Sequence, residues 1–337
     1  MKKMILCGLA MLSIHATAQV KLNDAIDYVK EHITLAGYAQ LGWEYHDQSS
    51  PKHSFAVHRI ILMANYQITD RWNAFAMGDF KSCSLHEMWV GYKVAPWMQW
   101  KIGQFKTPFS IENPITPVEM EMITQMSMVG TYMVGGSCPL MMPGGAGRDI
   151  GVAVNGDIDK WVSYDLALMN GAGRNRWDDN SWKDFVGRIT FHPIKELNLS
   201  GSVIAGKGKR STLAEYLGED EPSTVTGDYT RNRFAAGFEL KTTPVNLRGE
   251  WMWGKDDQLK SNGGYATAQV SNVGVKNLDI VASVDYLNKD GEKVNRYQAG
   301  LQYWFYKKCR VQACYSYTDY DGLGHEHGIL TQVQVAF

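Results

Sequence analysis

The chain has 337 residues, 34 basic and 35 acidic side chains for a net charge of −1, and 11 Trp with 17 Tyr. That balance gives no basic field of the kind nucleic acid needs. No apolar run of about 18 residues appears beyond the N-terminal leader, which excludes helical membrane spans. Length alone allows two ordinary domains or one large barrel. The aromatics suit interfacial girdles, a sandwich or a glycan-binding surface.

Residues 1–18 read as a secretory signal peptide: Lys2-Lys3, an apolar run over 4–14, and Ala16-Thr17-Ala18 before Gln19. Cys7 follows Leu6, whereas a lipidated Cys would follow a small residue, so Cys7 belongs to the leader. Residues 19–32 are expected to be an N-terminal periplasmic segment, at the barrel mouth or as a spacer, readable as a short polar helix with Leu22, Ile26 and Val29 on one side or as a loosely ordered terminus.

From Ile33 the hydrophobic period becomes two. Sixteen strands are expected, at 33–46, 55–67, 71–81, 84–94, 97–105, 148–156, 160–169, 182–192, 195–205, 231–241, 244–254, 264–275, 278–287, 293–305, 309–318 and 328–337. Many are near the ten residues a tilted strand needs to cross a bilayer. In the thirteenth, Leu278, Ile280, Ala282, Val284 and Tyr286 oppose Asp279, Ser283 and Asp285; in the last, Val333, Val335 and Phe337 oppose Gln332 and Gln334. Every second connection is short, as at 68–70, 95–96, 157–159 and 276–277; the others are longer and polar, as at 47–54, 170–181, 206–230, 255–263, 288–292 and 319–327, with Ser82-Cys83 the short exception. Sorted loop lengths are the pattern of a transmembrane antiparallel β-barrel. Charged side chains facing lipid cost about 2–4 kcal/mol each at the midplane, so the polar face lines water and the apolar face meets lipid.

The alternation stops over 105–147. A loop this long is functional or disordered, and its Met-rich composition argues against disorder. It is expected to fold into the lumen as the third extracellular loop and narrow it. Thr116-Pro117-Val118-Glu119 has the form of a capping box, which places a helix over 117–129.

The stretches WMQWKIGQFKTPFSIENP (97–114), GRDIGVAVNG (147–156), ITDRWNAFAMGDF (68–80) and DIVASVDYLNKD (279–290), with AGLQYWF at 299–305, resemble the phosphate-selective porin O and P family in its Bacteroidetes-type branch. The resemblance implies a sixteen-stranded homotrimeric porin of the bacterial outer membrane whose third loop forms the constriction. Phosphate selection in that family depends on crowded basic side chains. Here Lys106 is followed in the loop by Glu112, Glu119 and Glu121, and the inward strand positions are mixed in sign. Such a lining gives a transverse field rather than a single-sign attractor.

Lys101, Lys106, Glu112 and Arg148 are expected at the constriction, with Arg59, Arg188, Arg233, Arg248, Arg296 and Arg310 along the lumen. Each Arg either steers anions or pairs with an inward acid and fixes barrel shape. Asp149 reads as an anchor at the loop's return. The methionines at 120, 122, 126, 128, 133, 141 and 142 read as packing. His325-Glu326-His327 lacks a third metal ligand and reads as solvated loop. Asp178-Asp179 and Asp256-Asp257 lack calcium-loop spacing and read as surface charge. Cys83 and Cys138 share the outer side, where a bridge is conceivable; Cys309 and Cys314 face opposite sides of one strand. No cofactor or metal is expected.

The expected function is passive diffusion of small hydrophilic solutes, inorganic anions such as phosphate among them, through a barrel held by outer-membrane lipid. Two other readings remain: a barrel enzyme, for which Ser84 and His86 are the nearest pair, and a secreted all-β glycan-binding protein.

Overall fold

The computed structural model describes residues 31–134 and 147–337. The signal peptide, nearly all of the 19–32 segment, Cys138, Met141, Met142 and residues 144–146 lie outside the described residues. The strands are β1 (Ile33–His46), β2 (His53–Gln67), β3 (Trp72–Asp79), β4 (Ser84–Ala95), β5 (Met98–Lys106), β6 (Arg148–Ile158), β7 (Val162–Met169) and β8 (Asp184–Ile194). They continue with β9 (Leu197–Lys209), β10 (Asp228–Lys241), β11 (Val245–Asp256), β12 (Leu259–Val270), β13 (Leu278–Lys289), β14 (Glu292–Tyr306), β15 (Cys309–Tyr320) and β16 (Gly324–Ala336). Each pairs antiparallel with its chain neighbours, and β1 meets β16 to close a sixteen-stranded barrel. Closure leaves no edge strand. The last residue completes the seam: Phe337 donates its N–H to the Gly37 carbonyl at 3.0 Å, and Gly37 donates to the Phe337 carbonyl at 3.3 Å.

The barrel is turned as the alternation requires. On β13, Ile280, Ala282 and Val284 face outward and are exposed, while Asp279, Ser283 and Asp285 point inward and are buried. On β15, Val311, Ala313 and Tyr315 lie outside and Arg310, Gln312 and Ser316 inside. No described helix is long and apolar enough to cross a membrane; the crossing elements are strands. Val284 sits near mid-strand and is 49% exposed on the outer face. Val284→Lys is expected to cost about 1–2 kcal/mol in lipid, less than the full midplane cost because Val284 lies between the midplane and the interface, measured by reversible unfolding in bilayers. A shift below the resolution of that assay would contradict the outward placement.

Two expectations about connections need correction. The polar stretches at 255–263, 288–292 and 319–327 are not loops: the strands run on into them and turn at 257–258, 290–291 and 321–323. Asp290-Gly291, with φ of 51° and 108°, is a tight hairpin pair. Conversely β12 ends at Val270, five residues before its expected end, and the connection 271–277 is long. Asp279 braces that connection, accepting from Asn272 N (3.1 Å), Gln269 Nε2 (2.8 Å) and Trp304 Nε1 (2.9 Å).

Candidate functional site

The segment between β5 and β6 enters the lumen and crosses it. The helix expected over 117–129 is absent. One turn forms, with Glu119 and Met120 N–H both bonded to the Thr116 carbonyl, and the helix comes later, as α1 (Met128–Val134). The wall explains why. Gln40 donates to the Pro117 carbonyl (3.3 Å), Gln334 to Val118 (3.2 Å), Arg310 to Met120 (2.6 Å) and Gln312 to Glu121 (3.0 Å). The carbonyls that would propagate a helix accept from inward side chains of β1, β15 and β16 instead.

Across the lumen the same segment is fixed at Glu250, which accepts from Ser110 Oγ (2.6 Å) and Ile111 N (3.0 Å). α1 seats on an apolar part of the inner wall: Val129 and Met133 share one buried cluster with Met252, Tyr265 and Leu287. Met120 and Met122 are also buried, so the described methionines pack the loop. The inner face is therefore not uniformly polar.

Most inward cations are paired. Arg188 meets Asp165 at 2.6 Å, Arg296 meets Asp285 at 2.5 Å, and each pair is directly opposed in the ladder. Arg148 meets Glu87 at 3.1 Å. Arg233 is bonded to Asp256, which is buried in the lumen and not the surface charge expected of it. Arg231, absent from the expected set, pairs with Asp184; it shares the inward parity of Arg233 at the margin of β10 as read from sequence. Arg248 holds Glu121 at 2.5 Å, with Glu112 at 3.9 Å. Glu112 also accepts from Ser127 N (2.9 Å) and Oγ (2.7 Å), so it ties the loop to itself rather than facing open water.

Other cations have no carboxylate at ion-pair distance among the described residues. Arg59 donates to Gln40 Oε1 at 3.0 Å. Lys106 donates Nζ to the loop carbonyls of Ile115 (2.8 Å) and Pro114 (3.3 Å). Lys101 lies over the Phe105 ring at 4.4 Å. Arg310 is held by Gln302 and the Met120 carbonyl. Arg59, Lys106 and Arg148 lie within electrostatic reach of one another, with Asp79 near Arg59 and Glu87 and Glu119 near Lys106, and Arg59 and Arg148 also reach His86. Arg174 joins them from the loop after β7, and burial, followed by the neighbouring Arg148, holds its guanidinium below its ordinary value. Arg174 could not be found by strand parity, because it lies in a loop.

Asp149 anchors that loop, accepting from Gly171 N (2.5 Å) and Gly173 N (3.2 Å). Gly171 and Gly173 have φ of 80° and 88°, in the region that favours glycine. Asp149→Ala is expected to cost about 1–3 kcal/mol locally and to speed tryptic cleavage at Arg174 and Arg176. Unchanged cleavage kinetics would contradict the anchoring role.

His325, Glu326 and His327 lie in β16 rather than a loop, with Glu326 paired to His46 at 2.8 Å. Among the described residues no cluster of metal-ligating side chains occurs. The Ser84 hydroxyl bonds Ser82 Oγ at 2.7 Å rather than His86. Cys309 and Cys314 are free and buried, and Cys83 is exposed.

No protein-family model matches the chain, and no curated protein sequence matches it. Solved structures do. The chain is similar to an anion-selective porin from Comamonas acidovorans, with 12% identity, 90% of this chain and 99% of that one covered, and a TM-score of 0.68. It is similar to OprB of Pseudomonas putida, with 9% identity, 94% and 96% covered, and a TM-score of 0.65. It is also similar to the trimer form of OmpT, an outer membrane protein of Vibrio cholerae, with 12% identity, 90% and 99% covered, and a TM-score of 0.63. At these identities the likeness is one of fold.

Proposed function

We propose that the chain is an outer-membrane porin, a channel rather than an enzyme, through which small hydrophilic solutes diffuse with a preference for inorganic anions, phosphate among them. One observation carries the anion preference. Arg59 and Lys106 stand beside the inner loop with no carboxylate at ion-pair distance among the described residues, while two of the loop's three acids, Glu112 and Glu121, are turned onto Arg248. An excess of positive potential where an ion sheds water favours anions. The similar Comamonas porin is anion-selective, which supports the same reading.

The functional unit in this reading is a homotrimer. Strands β3 and β7 have only 8 residues each, whereas a tilted crossing takes about 9–11. A wall this low is better covered by neighbouring copies than by lipid, and the similar OmpT has a trimer form.

Reversal potentials of the refolded protein in a planar bilayer under a KCl gradient test the proposal. The expected sign is that of a chloride-preferring channel, and added phosphate is expected to reduce the chloride current. A potassium-preferring sign overturns the anion part; absence of conductance overturns the channel.

A further inference from the structure

The outer face carries a feature that a diffusion channel does not use. Lys255 at the end of β11 and Lys260 at the start of β12 are cross-strand partners, both exposed on the outward side. Like charges placed directly opposite one another destabilise a ladder. The nearby acids do not relieve this. Asp256 points inward to Arg233, Asp257 is bonded to Arg210 at 2.6 Å, and Asp290 accepts from the Lys260 backbone N–H at 3.1 Å. Among the described residues no carboxylate pairs with either lysine.

Below the lysines runs an aromatic band on the same face. Phe234 and Trp253 are 5.5 Å apart, Trp253 and Trp251 6.4 Å, Trp251 and Tyr286 5.9 Å. Such bands mark the membrane–water interface. Two residues farther along a strand is about 7 Å, which puts Lys255 and Lys260 at headgroup depth. Between them and the aromatics opens a groove of about 510 Å³, lined also by Val203, Ala205, Asn232 and Asn262. Asn232 stands opposite Lys255 and Asn262 opposite Trp253, so amide groups flank the two ammonium groups.

We propose that this outward groove over β9–β12 binds a phosphorylated membrane lipid, its phosphate between Lys255 and Lys260 and its acyl chains along Trp253 and Phe234. The apolar floor selects a lipid over a free anion, since hydrated inorganic phosphate gains nothing from Phe234 or Trp253. The inference needs this face to meet the membrane and is independent of which solutes cross the lumen.

Native mass spectrometry in a nonionic detergent tests it, with diphosphoryl lipid A as the probe, lipid A stripped of its phosphates as the control and inorganic phosphate as competitor. The phosphorylated probe is expected to bind, the control not, and inorganic phosphate not to displace it. K255Q with K260Q is expected to weaken binding about thirtyfold, and K255R with K260R to retain it. Equal binding of the stripped lipid, equal binding by the Gln pair, or displacement by inorganic phosphate overturns the proposal. A second measurement uses the wild-type chain only: lipid A with a photoreactive group on an acyl chain is expected to label residues 232–234 and 251–255. Labelling spread evenly around the barrel overturns the assignment.

Discussion

Arg248→Met is expected to lower barrel stability by about 3–5 kcal/mol, the usual cost of removing one partner from a buried ion pair, and to raise single-channel conductance. Arg248 is 5% exposed and is the junction on which three carboxylates converge: Glu121 at 2.5 Å, Glu112 at 3.9 Å and Glu239 at 4.0 Å. Two of them belong to the inner loop. Methionine keeps much of the stem's packing but none of the charge, so those acids repel one another and the loop loses one of its ties to β11, the Glu250 contacts with Ser110 and Ile111 remaining. Glu121→Gln, which leaves Arg248 with Glu112 and Glu239, should show a smaller change in both readouts. Unfolding midpoints in urea, together with conductance histograms, measure the pair of effects. Unaltered stability and conductance in Arg248→Met would contradict the clamp.

Arg59→Glu combined with Lys106→Gln is expected to move ion preference away from anions by about fivefold. Each unit charge about 6 Å from a permeating ion in water is worth about 0.7 kcal/mol. The double change amounts to three units, and screening over a Debye length of about 10 Å at 0.1 M roughly halves the total, to about 1 kcal/mol. Glutamine at 106 keeps a donor for the Pro114 and Ile115 carbonyls, so the loop stays seated. The same change at Arg296, already paired with Asp285, leaves Asp285 uncompensated and acts mainly on stability. A reversal potential identical to that of the unaltered protein would show that Arg59 and Lys106 do not face the ion path.

The strand positions were legible because parity is a local signal. A lipid-facing side chain must be apolar whatever its neighbours do, so Val284, Val311 and Val333 declare the outer face one strand at a time. Connections were legible only in part. Lys289-Asp290-Gly291-Glu292 carries the hairpin signal within its polarity, whereas the long turn at 271–277 depends on Asp279, whose donors come from β12, β14 and the turn itself. The inner loop shows the limit most clearly. Thr116 and Glu119 do start a turn, but its continuation was decided by Gln40, Arg310, Gln312 and Gln334, far away in the chain.

Ion pairing followed the same division. Asp165 with Arg188 and Asp285 with Arg296 are ladder partners, recoverable once strand register is known. Arg248 with Glu121, and Lys106 with the loop carbonyls, exist only because the segment folds inward. The mixed signs of the lumen residues therefore concealed an unequal distribution: acids and arginines pair over β7, β8, β11, β13 and β14, while Arg59, Lys101, Lys106 and Arg310 have no carboxylate at ion-pair distance among the described residues.

Planar-bilayer recording of the refolded chain beside a variant lacking residues 112–134 probes the account at its centre, a wet lumen narrowed by an inward loop. The unaltered protein should give discrete ohmic current steps, and the shortened protein larger ones. Silence from a correctly folded wild-type barrel, or steps of equal size from both proteins, would contradict it.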